Sequence, residues 1–165
     1  MNRIVVFLHH GLGDVIMALP ALWAISQSSG PKWIMHIVVR SRLEASLISS
    51  VEWKFQLYPP TILGTSNARR GLQIARFIWG LRRCSPSILV TPHINDHPIA
   101  SIISRLLGAR VSVLPGQIRP QLGEHKAVYY ARFFREAGIN FNLEHFKFPP
   151  LKQHVSDSRR LLLAP

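Results

Sequence analysis

Acidic residues are scarce in this chain. Eight Asp and Glu stand against twenty Lys and Arg in 165 residues, a formal net charge of +12. Fifteen of the twenty bases are Arg, the side chain best suited to gripping phosphate and carboxylate. Such an excess calls for an anionic partner. A nucleic acid is not expected, because no nucleic-acid-binding motif and no aromatic pattern of the RNA-recognition type is present. A phosphorylated glycolipid or an anionic membrane surface meets the same charge. Cysteine is almost missing: Cys84 alone excludes an internal disulfide and a redox pair, which fits a reduced, cytoplasmic setting. No stretch of about 18 apolar residues occurs, so no membrane-spanning helix is expected. Met1-Asn2-Arg3-Ile4 enters a strand at once, without signal-peptide architecture. There is no internal repeat, no low-complexity tract and no Gly-Lys-Ser/Thr triplet, which removes the Walker phosphate loop.

The informative stretch is Phe7-Leu8-His9-His10-Gly11-Leu12-Gly13-Asp14-Val15-Ile16-Met17-Ala18-Leu19-Pro20-Ala21-Leu22. The β-branched run Ile4-Val5-Val6 leads into a glycine turn, a carboxylate, and an apolar segment of helical period reaching about Ile25. Strand, tight loop and helix make the opening unit of a Rossmann-like domain, in which ligands bind outside the carboxyl ends of the strands. Gly11 and Gly13 can adopt positive φ and let a ligand approach the backbone. Asp14 reads in two compatible ways, as the cap of the following helix or as a catalytic base. A dinucleotide fingerprint fits at Gly11 and Gly13, but its third position is Ile16, too large for close helix–strand packing. Arg40, at the end of the second strand, could meet a 2′-phosphate, which keeps an NADP-binding domain as an alternative. A basic nucleic-acid-binding module is the non-enzymatic alternative.

The rest of the chain alternates in the same way. Strands are expected over 32–40, over 53–58 until Pro59-Pro60 stops it, over 87–90 and over 110–114. Helices are expected over 43–49, 68–83 and 98–107, the last with Pro98 in its first turn and Gly108 past its end. Alternating strands and helices imply an α/β fold, a Rossmann-like parallel sheet flanked by helices. In the 68–83 helix, Arg69, Arg76 and Arg83 recur every seven residues and share a face, with Arg70 and Arg82 beside it. That basic stripe suits anionic headgroups or an acidic acceptor. His93 and His97 flank Asp96 with a metal-like spacing, but Pro98 follows directly and no third ligand is evident, so no metal is expected.

The segment Gly11-x-Gly13-Asp14-Val15-x-x-Ala18-Leu19-Pro20-Ala21-Leu22 resembles the N-terminal signature of glycosyltransferase family 9, the lipopolysaccharide heptosyltransferases and their relatives. His125 to Ile139 resembles the helix that closes the acceptor domain of that family. His9-His10 departs from the Arg or Ser that often precedes the family's Gly-x-Gly-Asp. The resemblance implies the N-terminal half of a two-domain GT-B fold: a Rossmann-like acceptor-binding domain over 1–158, and over 159–165 the first strand of a truncated nucleotide-sugar-binding domain. It implies transfer of a heptose-like sugar from a nucleotide-sugar donor, held by the second domain, to an anionic, lipopolysaccharide-core-like glycolipid acceptor, at the inner membrane and without metal or cofactor. Asp14 is then the catalytic base, and His10, Gly11, Gly13, Arg69, Arg70 and Arg119 are the candidate substrate-binding residues.

Overall fold

The computed structural model describes residues 2–8, 11–28, 33–53, 56–62, 70–92, 97–114 and 117–152. Five strands, β1 (Asn2–Leu8), β2 (Trp33–Val39), β3 (Gln56–Ile62), β4 (Ile88–Val90) and β5 (Val111–Val113), form one sheet. All pairings are parallel, in the order β3-β2-β1-β4-β5. Helices α1 (Leu12–Gln27), α2 (Arg42–Ser49), α3 (Arg70–Arg83), α4 (His97–Leu107) and α5 (Lys126–Glu136) connect and cover it. The expected α/β architecture is therefore present, with strand order reversing between β1 and β4.

The period of two in β1 divides the core. Ile4, Val6 and Leu8 face α1 and α5, while Val5 and Phe7 face Phe77, Ile78 and Leu81 of α3 and Ile103 and Leu107 of α4. Both faces of β1 are buried, so it reads as a continuous apolar run. Helix α1 is buried from Val15 to Ser26 except at Ile16 and Met17, because α2, α5 and a 3₁₀ turn at Leu143–His145 also pack on it. It shows little polar face to water, which is why its sequence is apolar almost all round. Helix α2 starts with a capping box: the Glu44 N–H donates to Ser41 Oγ, and the Glu44 carboxylate accepts from the Ser41 and Arg40 N–H groups.

The largest departure from the sequence expectation is β3, which begins at Gln56 and ends at Ile62. Strand β3 does not stop at Pro59-Pro60; it runs through both to Ile62. Among the described residues it is an edge strand that pairs only with β2, and its register shifts between His36 and Val38, so that Tyr58 to Thr61 of β3 spans one residue more than the β2 segment opposite. A bulge on an edge is where prolines, lacking an N–H, cost the ladder least.

Candidate active site

The chain enters α1 through Gly11. Gly11 caps the helix with φ 150° and ψ 172°, a conformation open almost only to glycine, and makes no side-chain cap bond. The Asp14 and Val15 N–H groups donate to its carbonyl at 3.1 and 3.3 Å. Two expectations are corrected here. Gly13 has no positive φ; it is the second residue of the helix, and a Cβ there would meet nothing within 4 Å. Asp14 is not the cap either, since the helix begins at Leu12 and places Asp14 at its third residue. A carboxylate in a first turn still gains from the helix dipole.

Asp14 instead reaches across to α5. Its Oδ1 accepts from the Tyr130 hydroxyl at 2.5 Å and lies 2.5 Å from Lys126 Nζ. Lys126 opens α5 and Tyr130 follows four residues later, so helical spacing puts both on the face that packs against α1. The Lys126 ammonium also stands 5.8 Å from the centre of the Tyr130 ring. Burial is graded along the trio: Tyr130 is in the core, the Asp14 side chain is 13% exposed and that of Lys126 54%. Burial, and after it the hydrogen bond to Asp14, push the Tyr130 phenol far above its ordinary pKa. It therefore stays a neutral donor and Asp14 the acceptor.

This carboxylate sits in the first turn of α1, the helix that follows β1, and β1 is the strand flanked by β2 on one side and β4 on the other. That is the topological switch point of the sheet, where open α/β folds bind ligands. The arrangement holds a carboxylate in one orientation between a buried phenol and an accessible ammonium. Chemically it offers a proton acceptor beside a cation.

The other candidates are dispersed. His10 and Arg69 lie outside the described residues, as do His9, His93 and Asp96. Arg70 opens α3 and His97 opens α4; their side chains lie outside the described portion. Arg119 is exposed in the segment between β5 and α5, where its carbonyl accepts from the Arg132 guanidinium at 3.2 Å. It lines a cavity of about 860 Å³ with Val111, Val113, Arg132 and Glu136, and Asp14 is not among the lining residues. Arg132 is engaged by Glu124 at 2.7 Å. Among the described residues no group of three His, Cys, Asp or Glu could hold a metal ion. No described helix is long and apolar enough to cross a membrane. Lys126 and Tyr130 were not singled out from sequence. Their only local signal is a Lys-x-x-x-Tyr spacing, which acquires meaning only once α5 is known to lie on α1.

No family model and no curated protein matches the sequence. Solved structures do match. A glycosyl transferase of family 9 from Veillonella parvula superposes with a TM-score of 0.62 at 16% identity, over 84% of this chain and 42% of that one. The chain shares its fold with glycosyltransferase family 9. E. coli heptosyltransferase WaaC, solved with ADP, matches with a TM-score of 0.59 at 16% identity over 85% of this chain and 49% of its own. E. coli ADP-heptose lps heptosyltransferase II matches with a TM-score of 0.52 at 15% identity, over 97% of this chain and 48% of that one. The chain thus spans less than half the length of these three proteins.

Proposed function

We propose that this chain is the acceptor-binding half of a family 9-type glycosyltransferase. In that reading a second, nucleotide-sugar-binding domain begins near residue 159 and supplies the donor. The reaction transfers a sugar, heptose-like, from a nucleotide-sugar to an anionic glycolipid resembling a lipopolysaccharide core. The shared fold supports the family, and the structures of WaaC with ADP and with ADP-2-deoxy-2-fluoro heptose support the class of donor.

The observation that carries the reading is Asp14, a carboxylate held at the switch point beside an accessible ammonium. As general base it takes the proton of the attacking acceptor hydroxyl, directly or through one water. Tyr130 orients the carboxylate from below. Lys126 is placed to meet an anionic group carried by the acceptor. Gly11 starts the helix in a backbone conformation that favours glycine, and Gly13 leaves open space at the helix start for a ligand to approach.

The test is Asp14→Asn in a protein joining this chain to a donor-binding half. Asn still accepts the Tyr130 hydrogen bond but takes no proton. Transfer from an ADP-sugar should fall by at least about a hundredfold, while far-UV circular dichroism remains that of the parent. Parental turnover in Asp14→Asn removes Asp14 from the chemistry.

A further inference from the structure

The few acidic residues are not spread evenly over the fold. Every described one, Asp14, Glu44, Glu52, Glu124, Glu136 and Glu144, lies on or beside α1, α2, α5 or the 3₁₀ turn, the elements packed on one face of the sheet. The opposite face is covered by α3 and α4, which pack on each other over Val5, Phe7 and Leu89. Neither helix contains an acidic residue. Their outward positions carry Arg82, Arg83 and Arg105 together with large apolar side chains. Trp79 is 60% exposed, Ile102 57%, and Leu106 is exposed as well. Arg83 stands 5.9 Å from the centre of the Trp79 indole.

We infer that the α3–α4 face is a docking surface for an anionic lipid bilayer. Exposed Arg charge and exposed Trp, Ile and Leu lie side by side on it, on two helices that contain no acidic residue. A nucleic acid would use the charge but has no use for outward Ile102 and Leu106. A bilayer uses both, the guanidinium groups at the headgroup phosphates and the apolar side chains at the acyl boundary. Trp79, with its amphipathic ring, suits the interfacial layer. The acid-bearing face, with Asp14 at its edge, is then turned from the lipid headgroups that would repel it. This inference stands on the surface alone and does not depend on sugar transfer.

Co-sedimentation with vesicles of equimolar phosphatidylcholine and phosphatidylglycerol tests it. At low salt the chain should bind these vesicles and not phosphatidylcholine alone, and added salt should release it. Arg82→Glu/Arg83→Glu/Arg105→Glu should weaken binding by at least about a hundredfold, at roughly fivefold per charge removed. Arg42→Glu/Lys147→Glu/Lys152→Glu makes the same change in net charge away from α3 and α4 and should keep most of the binding. Brominated lipid should quench Trp79, and the quenching should vanish in Trp79→Phe while binding survives. Failure of the parent chain to bind the anionic vesicles overturns the proposal. Equal loss in the two triple variants, unchanged quenching in Trp79→Phe, or tighter binding to duplex DNA than to vesicles at matched salt does the same.

Discussion

Removing a single oxygen, by Tyr130→Phe, tests whether α1 and α5 are joined as the structure has them. The ring remains, buried in the core beside Tyr129, so no cavity opens. What is lost is a 2.5 Å hydrogen bond to a carboxylate. Such charge-assisted bonds contribute about 1.5–3 kcal/mol. Asp14 is 13% exposed and keeps Lys126 at 2.5 Å, so water and the ammonium offset part of the loss. The cost should fall near the lower end, about 1.5–2 kcal/mol, equivalent to a melting point lower by about 3–8 °C for a domain of this size. Lys126→Met is the comparator. Its ammonium is half exposed, and ion pairs of that kind contribute less than about 1 kcal/mol. A double-mutant cycle of Tyr130→Phe with Asp14→Ala, which removes the acceptor, should show coupling of about 1 kcal/mol or more, since the two side chains are in direct contact. Thermal and urea unfolding followed by circular dichroism give all of these values. The alkaline limb adds a second signature. The folded chain holds the Tyr130 proton more tightly than the unfolded chain, whose phenol has the ordinary pKa of 10.0. The stability this confers is whole below that pH and drains away as pH rises above it. Phe has no proton to lose, so the variant should decline less steeply there. Tyr129, also raised by burial, sustains part of the decline in both proteins. A Tyr130→Phe variant that melts with the parent, or a cycle without coupling, refutes the reasoning.

The two glycines of the opening loop should separate. Gly11→Ala forces a side chain into a φ of 150° and should cost about 1–3 kcal/mol in urea unfolding. Gly13→Ala enters open space within a helix and should be neutral or stabilising by up to about 1 kcal/mol; a loss of ligand binding with stability intact would mark that backbone as a contact surface. His36, in the middle of β2, is held below its ordinary pKa of 6.5 by burial. The stability that follows is present above about that pH and lost as pH falls through it. His36→Leu should therefore flatten the mildly acidic limb of a pH–stability curve measured by urea unfolding, and an unchanged limb would remove His36 from acid sensitivity.

Much of the fold was legible because it rests on local chemistry. The apolar run of β1, the glycine before α1 and Gly108 at φ 64° after α4 are each decided within a few residues. Strand and helix periods of 2 and 3.6 then suffice to give an alternating α/β pattern and its parallel sheet. Where local chemistry was the only guide, it erred in instructive ways. Two adjacent prolines argue against a strand anywhere but at a bulged edge, and whether β3 is an edge is a property of the whole sheet. Gly13 reads like a second turn glycine, yet of the two only Gly11 has a positive φ and Gly13 lies within the helix.

The candidate site divides along the same line. Asp14 was visible because a carboxylate follows two glycines at the end of a strand. Its partners were not, because Tyr130 lies 116 residues further along the chain and meets it only where α5 crosses α1. Likewise the count of eight acids against twenty bases is a fact of composition, while their placement relative to the sheet is a fact of topology. Most segments that become strands and helices can be read locally, since backbone propensity and side-chain period act over a few residues. Which side of the sheet each helix covers follows from the packed fold, and with it the trio around Asp14 and the face of α3 and α4 without acidic residues. Those depend on contacts between residues that no local pattern brings together.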